Sequence, residues 1–181
     1  MTKIINILAG SGCGKTTTAA GLFYEMKKMG LSCELVQEFV KNWAYEGRDI
    51  VQSDQALILE KQYAREAILY GKVDYIITDS PFILSPIYEK FNYDENGTLA
   101  PALKLLREAN QSGMEHINFL LNRTKGFDPH GRYEDEETAI KIDVAVKEFL
   151  CYHELEFYEL TKNEQDAKVY EILFNIEENL W

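Results

Sequence analysis

Two rhythms of apolar residues run through the chain. Short runs occur at residues 3–8 (Lys-Ile-Ile-Asn-Ile-Leu), 31–36, 73–79, 116–121 and 157–160. Each has the length of a strand, and most are apolar at successive positions, which predicts strands buried on both faces of a parallel sheet. The stretches between them repeat every three or four residues, the spacing of one helix face. Residues 16–29 carry Ala19, Leu22, Phe23 and Met26 and end at Gly30. Residues 55–70 place Ala56, Leu59, Tyr63, Ala67 and Tyr70 on one face, opened by Ser53-Asp54 and closed by Gly71. On that helix the pattern puts Gln55 on an exposed face. It leaves Gln62 open between an exposed position and an amide able to read a base edge.

Further along, residues 83–91 predict a short, imperfect helix interrupted by Pro86, and 92–98 a loop. Helices follow at 99–110, at 134–153 behind an acidic start, and at 163–181 with Val169, Leu173, Ile176 and Leu180 inward. Strand alternating with helix implies an α/β three-layer sandwich, a five-stranded parallel sheet with helices on both faces. At 181 residues, one domain over 1–181 is expected.

The stretch with chemistry in it leaves the first strand: Ala9-Gly10-Ser11-Gly12-Cys13-Gly14-Lys15-Thr16. It fits G-x-x-x-x-G-K-[ST], with alanine at the first position, in the required setting of strand, loop and helix. Glycines let successive backbone N–H groups turn inward onto phosphate oxygens. Gly10, Ser11, Gly12, Cys13, Gly14 and Thr17 would line that cradle. Lys15 would reach the β- and γ-phosphates, and the Thr16 hydroxyl would hold Mg²⁺. Cys13 fills a free position of the motif, a passive carrier of its amide.

Two strand exits offer carboxylates. Residues 73–79 end in Asp79, the usual metal-shell partner of a phosphate loop. The second strand delivers Glu38 to the carboxyl edge of the sheet, where open α/β folds place ligands. Glu38 is a candidate general base or metal-shell ligand there, or a loop carboxylate in solvent, and Asp79 is the alternative base. Trp43, Gln62 and Arg65 are candidate substrate contacts. After the fourth strand, residues 122–132 hold Arg123, Lys125 and Arg132 against the single acid Asp128. A lid over 123–132, closing on a transferring phosphoryl group, would look like this.

Net charge is −11, which argues against a nucleic-acid binder without excluding a local basic cleft. Cys13, Cys33 and Cys151 form no CxxC pair, and His116, His130 and His153 do not join them at zinc spacing. No leader and no membrane-length apolar run is read, so a reducing cytoplasm is the expected compartment.

The chain resembles the small AAA-like P-loop proteins related to the ribosylnicotinamide kinase domain of NadR, many of them phage-encoded. The likeness rests on Gly12-Cys13-Gly14-Lys15-Thr16-Thr17-Thr18, residues 36–41 (Val-Gln-Glu-Phe-Val-Lys), residues 76–81 (Ile-Ile-Thr-Asp-Ser-Pro) and Gly131-Arg132-Tyr133. It implies a sheet in the P-loop kinase order 2-3-1-4-5 and transfer of the γ-phosphoryl of ATP, with Mg²⁺, to a nucleoside-, nucleotide- or nicotinamide-riboside-like hydroxyl. Lys15, Thr16, Asp79 and Arg132 carry over to nucleotide, metal and lid, in the host cytoplasm if the origin is phage. Three other readings stay open. One is a kinase for hydroxymethylated pyrimidines (5-hydroxymethyluracil-type) in DNA. Another is a nucleotide-driven switch with no small acceptor. The third, ranked last, is a ring-forming ATPase, which needs a lid domain this chain is too short to show. The acceptor, the choice between ATP and GTP, and the oligomeric state are not readable from the residues.

Overall fold

A computed structural model describes residues 1–124, 127–128 and 130–178. Five strands, β1 (Lys3–Leu8), β2 (Cys33–Val36), β3 (Tyr75–Thr78), β4 (Glu115–Leu120) and β5 (Phe157–Glu159), form one sheet in the order β2-β3-β1-β4-β5. All four pairings are parallel, with Ile5 of β1 opposite Ile77 of β3 and Ile117 of β4. The expected fold class and strand order are both met.

Seven helices connect the strands among the described residues: α1 (Lys15–Lys28), α2 (Lys41–Glu46), α3 (Gln55–Ala67), α4 (Leu84–Tyr93), α5 (Leu99–Gln111), α6 (Glu136–Tyr152) and α7 (Gln165–Glu178). Alternation along β1 divides the core into two layers. Ile5 and Ile7 join Leu22 and Met26 of α1 and Ile172 and Ile176 of α7. Leu8 joins Phe82, Ile87, Leu106, Ile142 and Val146 on the opposite face. Val169, Leu173 and Ile176 are buried as the spacing requires; Leu180 lies outside the described residues.

Three local expectations are corrected and one helix is added. Pro86 does not interrupt α4, because it sits in the first turn, where an N–H has no intrahelical partner to lose. Helix α2 was not legible, since six residues without a buried side chain carry no periodic signal. The buried stripe of α3 is Gln55, Leu59, Gln62 and Glu66, and Ala56 is exposed. That helix turns a polar face inward because it walls a cavity as well as the core. Finally, α6 begins at Glu136 with Asp135 as N-cap, accepting from the Thr138 amide at 2.8 Å. Glu134 is thereby left outside the helix.

Candidate active site

The phosphate loop is braced from three sides. Lys15 Nζ donates to the Gly10 carbonyl at 2.8 Å, folding the lysine back across the loop. The Gly10 amide donates to Asp143 Oδ1 of α6 at 2.6 Å. A Cβ at Gly10 would collide with the Ala139 carbonyl and lie 2.9 Å from that carboxylate, so helix and loop approach this closely only with glycine there. Asp143 Oδ2 also accepts from Arg123 Nε at 2.7 Å, and Arg123 Nη2 donates to the Ser11 carbonyl at 2.8 Å. Gly12, at φ +75°, lies against the ring of Phe127. On the far side Gln165 of α7 donates to Thr18 Oγ1. Cys13 is buried, its thiol pushed up by burial and beside the Leu121 carbonyl at 3.7 Å, which suits a passive position.

Three buried polar atoms near this loop have no hydrogen-bond partner among the described residues: Ser11 Oγ, Arg123 Nη1 and Arg132 Nε. Burying such groups unpaired is costly, so a cluster of them marks where an anionic ligand belongs. Ser11, Lys15 and Arg132 share one cavity wall. Thr16 and Thr17 are exposed at the head of α1.

Asp79 leaves β3 next to β1 and is 4% exposed. Its Oδ1 accepts the Glu38 amide at 3.1 Å, which ties the ends of β2 and β3 together. Burial pushes the Glu38 carboxyl up, Lys15 pulls it down, and Asp79 adds to the rise. Burial likewise lowers the Lys15 ammonium, against the fields of Glu38 and Asp79. These three groups form one electrostatic unit. Groups of three or more His, Cys, Asp or Glu able to hold a metal are absent among the described residues. One hydroxyl (Thr16) and one carboxylate (Asp79) still fit Mg²⁺, which takes most of its shell from phosphate oxygens and water.

Beyond the loop opens a cavity of about 600 Å³. Gln55 and Gln62 of α3, Ser85 and Tyr88 of α4, Glu38, and the segment Gly131–Asp135 line it. Gln55 is 3% exposed, which corrects its expected surface position. Gln62 is equally buried, but its amide is engaged, accepting from the Phe39 amide at 2.9 Å and donating to the Gln37 carbonyl at 3.4 Å. Trp43 and Arg65 do not line the cavity. Trp43 lies under the Arg48 guanidinium, 3.4 Å from ring centroid to Cζ, and Arg65 sits over Phe39. Phe127 lies on Gly12 of the phosphate loop, while Gly131 packs against the Tyr45 ring of α2 and the Tyr133 hydroxyl donates to the Arg48 carbonyl at 2.8 Å. Lys125 lies outside the described residues.

Sequence reasoning missed Asp143, Tyr88 and Glu134. Asp143 left a faint signal: an acid four residues after Ala139, beside the apolar stripe of Ile142 and Val146. Glu134 was masked by the acidic run around it, which reads as a dipole-favouring helix start.

Residues 4–167 match a protein family described as an AAA domain. None of the curated proteins matches the sequence. Among solved structures the chain is similar to a deoxyadenosine kinase from M. mycoides, with TM-score 0.62 and 18% identity over 97% of this chain and 99% of that one. It is similar to the APS kinase CysC of Mycobacterium tuberculosis, with TM-score 0.53 and 14% identity over 97% and 98% of the two chains. It is also similar to NadR in complex with NAD and AMP-PNP, with TM-score 0.71 and 14% identity over 98% of this chain. It spans about half of that protein, 49% of its chain. At such identities the likeness is one of fold.

Proposed function

This chain belongs to the AAA domain family, and on that premise we propose that it is an ATP- and Mg²⁺-dependent kinase acting on a hydroxyl of a small, nucleoside-like acceptor. One observation carries the reading. The unpartnered Ser11 Oγ, Arg123 Nη1 and Arg132 Nε border a phosphate loop at one end of a single cavity whose remainder is large enough for an acceptor. A phosphate-binding half joined to an enclosed polar half is what in-line transfer between two substrates needs.

Lys15 and the amides of Ser11–Thr17 hold the ATP phosphates in this reading, the Gly10 amide being held by Asp143, and Arg123 and Arg132 lie against the transferring group. Thr16 and Asp79 hold Mg²⁺, which neutralises charge between the β- and γ-phosphates. Glu38 accepts the proton of the attacking hydroxyl, since it lines the acceptor cavity and its carboxyl is raised towards a useful range. Asp79 anchors it through the backbone bond. Residues 1–181 act as one domain, with 123–132 as the lid.

The test is transfer of label from γ-labelled ATP to pooled nucleosides, nucleotides and nicotinamide riboside, with duplex DNA bearing or lacking hydroxymethylated pyrimidines in parallel. Label in a small molecule is the expected result. Label in DNA would move the acceptor to a modified base. Release of free phosphate alone would replace the kinase with a nucleotide switch.

A further inference from the structure

Resting on the kinase reading, we propose that the acceptor is a hydroxyl compound with no phosphate or other anionic group, and that Glu134 and Asp49 of the cavity wall enforce this exclusion.

The lining residues with positive charge are Lys15, Lys41 and Arg132. Lys15 is folded onto the Gly10 carbonyl within the phosphate loop, and Arg132 carries the unpartnered Nε assigned to ATP. Lys41 is left for the acceptor half. Lining the same cavity are the carboxylates of Glu38, Asp49 and Glu134, together with Asp135, which caps α6.

The arginines that a phosphorylated acceptor would need are committed elsewhere. Arg48 pairs with Asp54 at 2.9 Å and lies flat on Trp43. Arg65 donates to the Gln37 carbonyl at 3.3 Å and covers Phe39, outside the cavity. Helix α6 does not help either, because Asp135 caps its N-terminus and Glu136 and Glu137 fill its first turn. Phosphate sites are built from forked arginines or free helix N-termini, and this half of the cavity offers neither from α6 nor from its neighbouring arginines. An anion placed between Glu38 and Glu134 would instead meet like charge in a partly desolvated space. Beside these charges the wall offers an acceptor neutral polar and aromatic groups: the Gln55 amide, the Ser85 hydroxyl and the ring of Tyr88.

The experiment compares matched pairs, each nucleoside with its 5′-monophosphate. Transfer from γ-labelled ATP is measured beside equilibrium binding by calorimetry in the presence of a non-hydrolysable ATP analogue. Expected is kcat/KM and affinity for nucleosides at least about tenfold above those for monophosphates, a gap of one decade per like-charge contact. The gap narrows in Glu134→Gln and in Asp49→Asn through tighter monophosphate binding. It also narrows with added salt in the unaltered protein, which reads the same electrostatics if a variant fails to fold. Monophosphates that bind as well as nucleosides, or a gap indifferent to both substitutions and salt, would overturn the inference. So would binding of neither class. Free phosphate as the only labelled product would overturn the kinase reading, while the binding comparison still decides the charge of the ligand.

Discussion

Asp143 on α6 holds the Gly10 amide at 2.6 Å across 133 residues of sequence, and its other oxygen holds Arg123 Nε at 2.7 Å. One carboxylate thus joins the entry of the phosphate loop to the root of the basic segment after β4. The pair is largely shielded, with side-chain exposures of 13% for Arg123 and 21% for Asp143. Asp143→Asn keeps the shape and removes the charge, leaving a guanidinium short of its partner. A loss of about 2 kcal/mol in stability by urea unfolding is expected. Nucleotide affinity should fall about tenfold, because the loop amides are no longer held in place. An unchanged dissociation constant for ATP would separate the brace from the site.

Glu38→Gln should lower turnover by about 10²–10⁴-fold at saturating substrates, the usual weight of a positioned base. The pH profile supplies a second readout. Because burial raises the Glu38 carboxyl, its basic form is lost at a higher pH than for an unperturbed glutamate. Wild-type turnover should therefore decline on the acid side earlier than a free carboxylate would dictate, and the variant should lack that limb. Equal activity of the two proteins at saturation would remove Glu38 from the chemistry.

Tyr133→Phe removes the hydroxyl that donates to the Arg48 carbonyl. Tyr133 as a whole is 42% exposed, so a stability change below about 1 kcal/mol is expected. The effect should appear in KM for the substrates, raised about fivefold by loss of about 1 kcal/mol of closure, with the unfolding midpoint unmoved. A fall in unfolding midpoint with unchanged KM would make the bond structural.

Away from the site, Glu66 of α3 is 1% exposed and accepts from the Tyr70 hydroxyl, with burial pushing its carboxyl up to about 7 from 4.5. The folded state therefore keeps a proton that the unfolded chain has released. Stability from this group is full below about pH 4.5 and is lost as pH rises through 7. Nearby His116 works in the opposite sense, lowered by burial to about 4 from 6.5, so its contribution is lost as pH falls from 6.5 towards 4. Glu66→Gln should thus gain on wild type by an amount on the order of 3 kcal/mol between pH 4.5 and 7.5, measured by denaturant unfolding. A constant difference across that range would place the Glu66 carboxyl at its ordinary value.

The division between sequence and tertiary structure follows the range of the interactions concerned. The phosphate loop, the strands feeding it and the alternation that makes a parallel sheet are local patterns. Their physics lies in backbone turns, side-chain periodicity and the burial of short apolar runs, all legible within a dozen residues. Strand exits at Glu38 and Asp79 were legible for the same reason, since a strand ending at the carboxyl edge must deliver its next residues to the cleft. Partner choice was not local. Arg123 reads as a lid residue from its basic loop, and only the fold shows its Nε held by Asp143 and its Nη2 by the Ser11 carbonyl, with Nη1 left without a partner. Arg65 and Trp43 read as substrate contacts, yet outside the cavity Arg65 lies over Phe39 and Trp43 lies under Arg48. Gln55 reads as exposed because α3 was judged by its apolar stripe, whereas the face it buries walls a polar cavity. Hydrophobic spacing reports only which face meets an apolar core. Which charge meets which, and which polar face closes on a substrate, is set when α3, α4 and α6 pack together, and that is a property of distance in space.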